Sequence, residues 1–141
     1  MVSSRPRKMI TQRHIPQFAT EPWYRNPSDH RCPHDSWLDA VEIRELADGE
    51  RHERRRSAIS IRLISAYHDG HIVFRYSGVT RFAIDCDASA GGVGDWIRDE
   101  FSTSDAGLLE HRISWCRGTS LEAEWFIEAD DVSYEWIPNE A

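Results

Sequence analysis

The densest group of side chains able to do chemistry is Asp29-His30-Arg31-Cys32-Pro33-His34-Asp35. Histidine, cysteine and aspartate all ligate zinc, and His30, Cys32 and His34 alternate as they would on one side of an extended segment. A structural zinc site needs a second ligand pair elsewhere. The candidates for it are His68, Asp69 and His71, or the lone Cys86 and Cys116, and none has the spacing of a finger or ribbon. A polar loop entering the domain accounts for the cluster without a metal and is the preferred reading. His68-Asp69-Gly70-His71 offers a second metal or acid–base arrangement. Its Asp-Gly, however, is also what a tight hairpin turn between two strands requires. His30, Cys32, His34, His68 and His71 are thus weak metal candidates, and no cofactor is assigned.

Catalytic dyads are less convincing. Cys86 alternates with Phe82 and Ile84, as a core cysteine does, and Cys116 follows Trp115 at a strand end with no base fixed beside it in sequence. Gly91-Gly92-Val93-Gly94 lacks both the Lys-Ser/Thr pair of a phosphate-binding loop and the order of a dinucleotide fingerprint. Asp95, Asp99 and Glu100 flank Trp96 and read as a solvated patch, with a divalent-ion or acid/base pair as the alternative. No catalytic residue is assigned. The strongest candidate is a partner-binding face near the C-terminus: Glu122, Glu124, Phe126 and Glu128 on one side of a strand, with Asp130, Asp131 and Glu135 close behind. Like charges so grouped cost stability unless solvent or a cationic partner screens them. An aromatic ring among them is a natural anchor.

The elements that would position these groups are mostly short strands. Trp37, Val41 and Ile43 open the first, which ends near Ala47-Asp48-Gly49. Ile59, Ile61 and Leu63 share a face of the second, Ile72, Phe74 and Tyr76 of the third, and Phe82, Ile84 and Cys86 of a fourth. Residues 87–94 form a loop. Trp96, Ile97, Glu100 and Phe101 fit a helical turn about as well as a strand, so one short helix is expected near 95–103. Leu109, His111, Ile113 and Trp115 alternate along the next strand, then Leu121, Ala123, Trp125 and Ile127. Asp130-Asp131 breaks this run from a last one carrying Val132, Tyr134 and Trp136. The expectation is a mainly β single domain of about seven antiparallel strands, arranged as a curved sheet, sandwich or small barrel. It occupies residues 35–141. Residues 1–34, with five of the six prolines, form an irregular arm whose Ile15, Phe18, Trp23 and Tyr24 can dock on the domain or on a partner.

Composition narrows the function classes. The net charge of −7 is unevenly spread: +3 over residues 1–35, −1 over 36–94 and −9 over 95–141. An acidic end repels nucleic-acid phosphates and attracts a basic protein, so the expected partner is a basic protein and not a nucleic acid. No run approaches the roughly 18 apolar residues of a membrane-spanning helix, so no membrane is expected. Three cysteines without a CxxC pair, and no apolar run after the basic N-terminus, point to reduced thiols in the cytoplasm.

From HDSWLDAVEI through YHDGHIVFRYSGVTRFAID and GDWIRDEF to WFIEADDVSYEWI, the chain resembles small uncharacterised bacterial β-rich proteins. In these a His-Asp opens the first strand, and a stretch like Phe74 to Phe82 follows the hairpin. Some of them lie beside polymorphic-toxin genes and are regarded as immunity proteins. The resemblance covers roughly residues 34–137 and transfers no catalytic residue. It implies a binding module, an immunity-type inhibitor whose acidic face meets a basic toxin. Two competing expectations stand beside it. One is a small metal- or ligand-binding domain or enzyme using His34, Asp35, His68, Asp69 or His71. The other is a homo-oligomeric structural protein that pairs exposed strand edges or hides Trp23 and Tyr24 in a neighbour.

Overall fold

The computed structural model of the chain describes residues 15–89, 91–118 and 120–140, with side chains for all of these but 120–122. Two 3-10 turns, Gln17–Thr20 and Pro22–Arg25, precede six strands: β1 (Trp37–Asp48), β2 (Arg54–Ile64), β3 (Gly70–Ala83), β4 (Asp95–Thr103), β5 (Leu109–Arg117) and β6 (Ser120–Pro138). All pairings are antiparallel, in the spatial order β1-β2-β3-β6-β5-β4. The sheet curves so far that β1 and β4 meet, but in a single bridge pair, Trp37 with Asp95.

Period-2 alternation sets the core. Ile59, Ile61 and Leu63 of β2, Ile72, Phe74 and Tyr76 of β3, Ile113 and Trp115 of β5, and Trp125 and Ile127 of β6 are all buried on the concave side. Six strands appear where about seven runs are expected, because runs that look separate in sequence are joined within β3 and within β6. In β3 the backbone turns at Gly78, with φ of +62°, and slips register between Val79 and Arg81, so the runs either side of it belong to one strand. In β6 the buried phase changes from odd to even across Asp130-Asp131, without a break in the strand.

The stretch 95–103 is a strand and not a helix. A bulge between Trp96 and Arg98 inserts one residue, which breaks the alternation and mimics helical spacing. After that slip, Asp99 points inward with Phe101. Cys86 is exposed, since the chain leaves the sheet after Ala83 and carries it away from the core. The β2–β3 connection is a hairpin as expected, although its left-handed residue is His68 and not Gly70. Gly70 is needed for close approach: a Cβ there would lie 2.6 Å from Trp136 Cη2 and 2.8 Å from the Ile137 carbonyl oxygen.

The described part of the arm packs on the domain. The Phe18 ring sits 5.4–5.9 Å from those of Tyr24, Phe74, Phe101 and Tyr134, filling the space above the core. Tyr24 and Cys32 are buried within the chain itself, so Tyr24 is not a surface held for a neighbour. Trp23 packs on Tyr134 and stacks under the Arg31 guanidinium.

Candidate functional site

The most chemically loaded site lies inside the sheet. β4 directs Asp99 inward after its bulge, β5 places His111 in line with Leu109 and Ile113, β3 supplies Tyr76, and the arm supplies Tyr24 and Arg25. Asp99 Oδ2 accepts hydrogen bonds from the Tyr24 hydroxyl (2.7 Å) and from His111 Nε2 (2.6 Å). Arg25 Nη1 donates to Asp99 Oδ1 (2.8 Å) and to its backbone carbonyl (3.1 Å). At the far side of the imidazole, Tyr76 Oη lies 2.7 Å from His111 Nδ1. With His111 Nε2–H given to Asp99, Nδ1 is the acceptor for the Tyr76 hydroxyl, and every proton in the chain has a partner.

The electrostatics agree with that assignment. Burial lowers the His111 pKa, which keeps the ring neutral. Burial works against the Asp99 carboxylate too, but hydrogen bonds from His111 and Tyr24 and the charge of Arg25 hold its pKa below the ordinary value. Burial, followed by the charge of Asp99, raises both Tyr24 and Tyr76, so the hydroxyls stay protonated donors. The order carboxylate–imidazole–hydroxyl is that of a nucleophilic triad. Here the hydroxyl belongs to a residue only 2% exposed and is hard to ionise, so a substrate does not reach it. The relay binds the arm, β3, β4 and β5 together.

The expected metal ligands do not converge. His30 stacks on Tyr67 at 4.0 Å and its Nδ1 meets Asp69 Oδ2 at 2.5 Å. That bond is the largest cause of the lowered Asp69 pKa. The Cys32 thiol donates to the Tyr24 carbonyl, and burial raises its pKa. His34 Nδ1 lies 3.2 Å from Asp35, His71 Nε2 lies 3.9 Å from Asp39, and His68 packs edge-on to Trp37. Among the described residues no group of three or more His, Cys, Asp or Glu is placed to hold a metal ion.

The outer face of β3, β6 and β5 differs from a continuous acidic surface. Glu124, Phe126 and Glu128 do share its outward side, opposite Ser114, Arg112 and Glu110 of β5. Arg81 and Arg112 lie over the Phe126 ring, 5.2 and 4.6 Å from its centre. Glu128 is buried. It accepts from Thr80 Oγ1 (2.7 Å) and from Arg81 Nε and Nη2 (both 3.3 Å), and those bonds, Thr80's first, lower its pKa. Its carboxylate is thus engaged by Thr80 and Arg81. Glu124, Asp130 and Asp131 are exposed. Glu135 pairs with Arg75 at 2.7 Å, on the rim of an open groove of about 310 Å³ whose lining includes Glu42, Arg44, Ser60, Arg75 and Asp131. The Glu122 side chain lies outside the described residues.

The Asp99–His111 relay escapes the sequence reading, which takes Asp99 as solvated. Its one signal is His111 itself, an imidazole on the apolar face of a strand. Such a group must find a polar partner when buried. No family model, curated protein or solved structure matches this chain.

Proposed function

We propose that this protein is a binding module that recognises a basic protein by contact alone, through the outer face of β6 and β5. The observation that carries the reading is the Phe126 ring held on the outside of the sheet between Arg81 and Arg112. Aromatic and arginine side chains fixed in place are the types that dominate interface energetics. Glu124, on the same outward side of β6 as Phe126, is exposed, as are Asp130 and Asp131 further along the strand, and the net charge of −9 over residues 95–141 favours a cationic partner. The immunity-type role implied by the resemblance is the most specific form of this proposal: occlusion of a basic toxin, without chemistry. A cytoplasmic setting, where the three thiols stay reduced, belongs to the same proposal.

The test is capture from lysate of the source organism, with and without a co-expressed candidate toxin, on tagged full-length chain eluted by a salt gradient. Wild type is compared with Phe126→Ala and Glu124→Lys. A basic protein retained by wild type, released by moderate salt and lost by both variants supports the reading. Equal retention by all three chains rules out this face.

A further inference from the structure

The two edges of the curved sheet are finished differently. Along β4 the arm and the residues that follow it cover the edge: Asp35 N–H donates to the Trp96 carbonyl, Trp96 N–H to the Ser36 carbonyl, and Arg25 to the Asp99 carbonyl. Along β1, every pairing after Trp37 is with β2, and among the described residues no strand pairs with Leu38–Asp48 on its other side. Alternate residues of such an edge present free N–H and C=O groups, a template for another strand. This edge contains neither proline nor lysine, which commonly blunt one, and it exposes Ile43 and Leu46 (47% and 40%). Ile43 lies on the concave phase, opposite Ile59, yet stays open because β4 does not reach it.

We propose that the occupant of this edge is a second copy of the chain, paired antiparallel β1 to β1 about a two-fold axis through Ile43. The charge pattern selects both partner and register. A two-fold axis perpendicular to the sheet sets residues of equal phase opposite each other, and Ile43 is the midpoint of the free edge Leu38–Asp48. Centred there, Glu42 faces Arg44 of the second copy twice, Ile43 meets Ile43, and Ala40 meets Leu46. No like charges are opposed anywhere along Leu38–Asp48. Moving the axis by one residue in either direction, a register slide of two, sets Glu42 against Glu42 or Arg44 against Arg44, which antiparallel pairs disfavour. Glu42 and Arg44 are well exposed (60% and 64%) and held to each other only loosely, at 3.8 Å, so both are available across the axis. Two strands, β2 and β3, lie between this edge and β6, so the dimer does not depend on the Phe126 face.

Sedimentation equilibrium of the full-length chain from micromolar to millimolar concentration tests the pairing. A dimer is expected, weakened about tenfold or more by Glu42→Arg or by Arg44→Glu alone, each of which sets like charges across the axis twice. The double variant E42R/R44E is expected to restore it. Hydrogen exchange on wild type supplies a readout without substitution: amides of Leu38–Asp48 should gain protection as concentration rises. A monomer throughout, a dimer indifferent to Glu42→Arg, or a folded double variant that stays dissociated would overturn the proposal. Concentration-independent protection of β1 in a monomer would also overturn it, by placing another segment of the chain on that edge.

Discussion

Asp99→Asn removes one negative charge from a side chain that is 2% exposed, at nearly constant shape. The carboxylate accepts from Tyr24 and His111 on one oxygen and from Arg25 on the other. An asparagine oxygen turned toward Tyr24 and His111 keeps both bonds but as neutral ones, weakening each by about 1 kcal/mol. Its amide group then faces the Arg25 guanidinium, donor to donor. Because Arg25 is half-exposed, losing that ion pair costs only about 0–1 kcal/mol. The opposite amide orientation is worse, since it sets N–H groups against two buried donors. The expected loss is therefore roughly 2–4 kcal/mol, a large part of the roughly 5–15 kcal/mol that stabilises a domain.

Urea unfolding followed by tryptophan fluorescence reads this directly, because Trp96, Trp115 and Trp125 are fully buried. With a slope of about 2 kcal/mol per molar urea, the midpoint should fall by about 1–2 M. Tyr24→Phe keeps the ring and deletes one bond, so it should cost less. Combined with Asp99→Asn it should cost less than the sum, because the two share a bond. A midpoint unchanged within error, or strict additivity, would refute the claim that this carboxylate ties the arm to the sheet.

Two further outcomes follow from the same geometry. The pKa values of His111 and Asp99 both lie below their unfolded values, so the unfolded chain binds more protons in acid and stability falls as pH falls. The His111 contribution begins to disappear near pH ~6.5, at no more than about 1.4 kcal/mol per pH unit, and Asp99 adds its share below about pH 4. His111→Phe should flatten the slope between pH 7 and 5 in urea titrations; equal slopes for both proteins would contradict the buried neutral imidazole. Gly70→Ala should destabilise by about 1–3 kcal/mol, because its Cβ would strike Trp136 and the Ile137 carbonyl, whose backbone cannot yield. An unchanged or raised melting temperature would show that β6 moves aside.

The features legible in the amino-acid sequence are local ones. β2, and in the main β5 and the first halves of β3 and β6, alternate, and period 2 is a property of the chain's own pleat, so their buried faces are legible in residues such as Ile59, Ile61 and Leu63. The turns at Gly49 and Gly107 are legible for a like reason, since their positive φ favours glycine. The misreadings fall where a bulge shifts the phase. One inserted residue near Ile97 makes a strand look like a helix and a buried Asp99 look like a surface acid. A slip in β3, and the change of buried phase at Asp130-Asp131 in β6, make two strands look like four.

The amino-acid sequence by itself determined the mainly β class, the paired hairpins and the acidic C-terminal third, because alternation, turn chemistry and charge are each written within a few residues of one another. Only the tertiary structure decided that Tyr24 and Arg25 reach Asp99 across more than seventy residues of chain. It likewise decided that Arg81 and Arg112 close over Phe126, and that β4 is covered while β1 is left open. These outcomes depend on how far the sheet curves before its edges meet. Curvature accumulates from every bulge and twist in all six strands together, and no local run of residues encodes that sum.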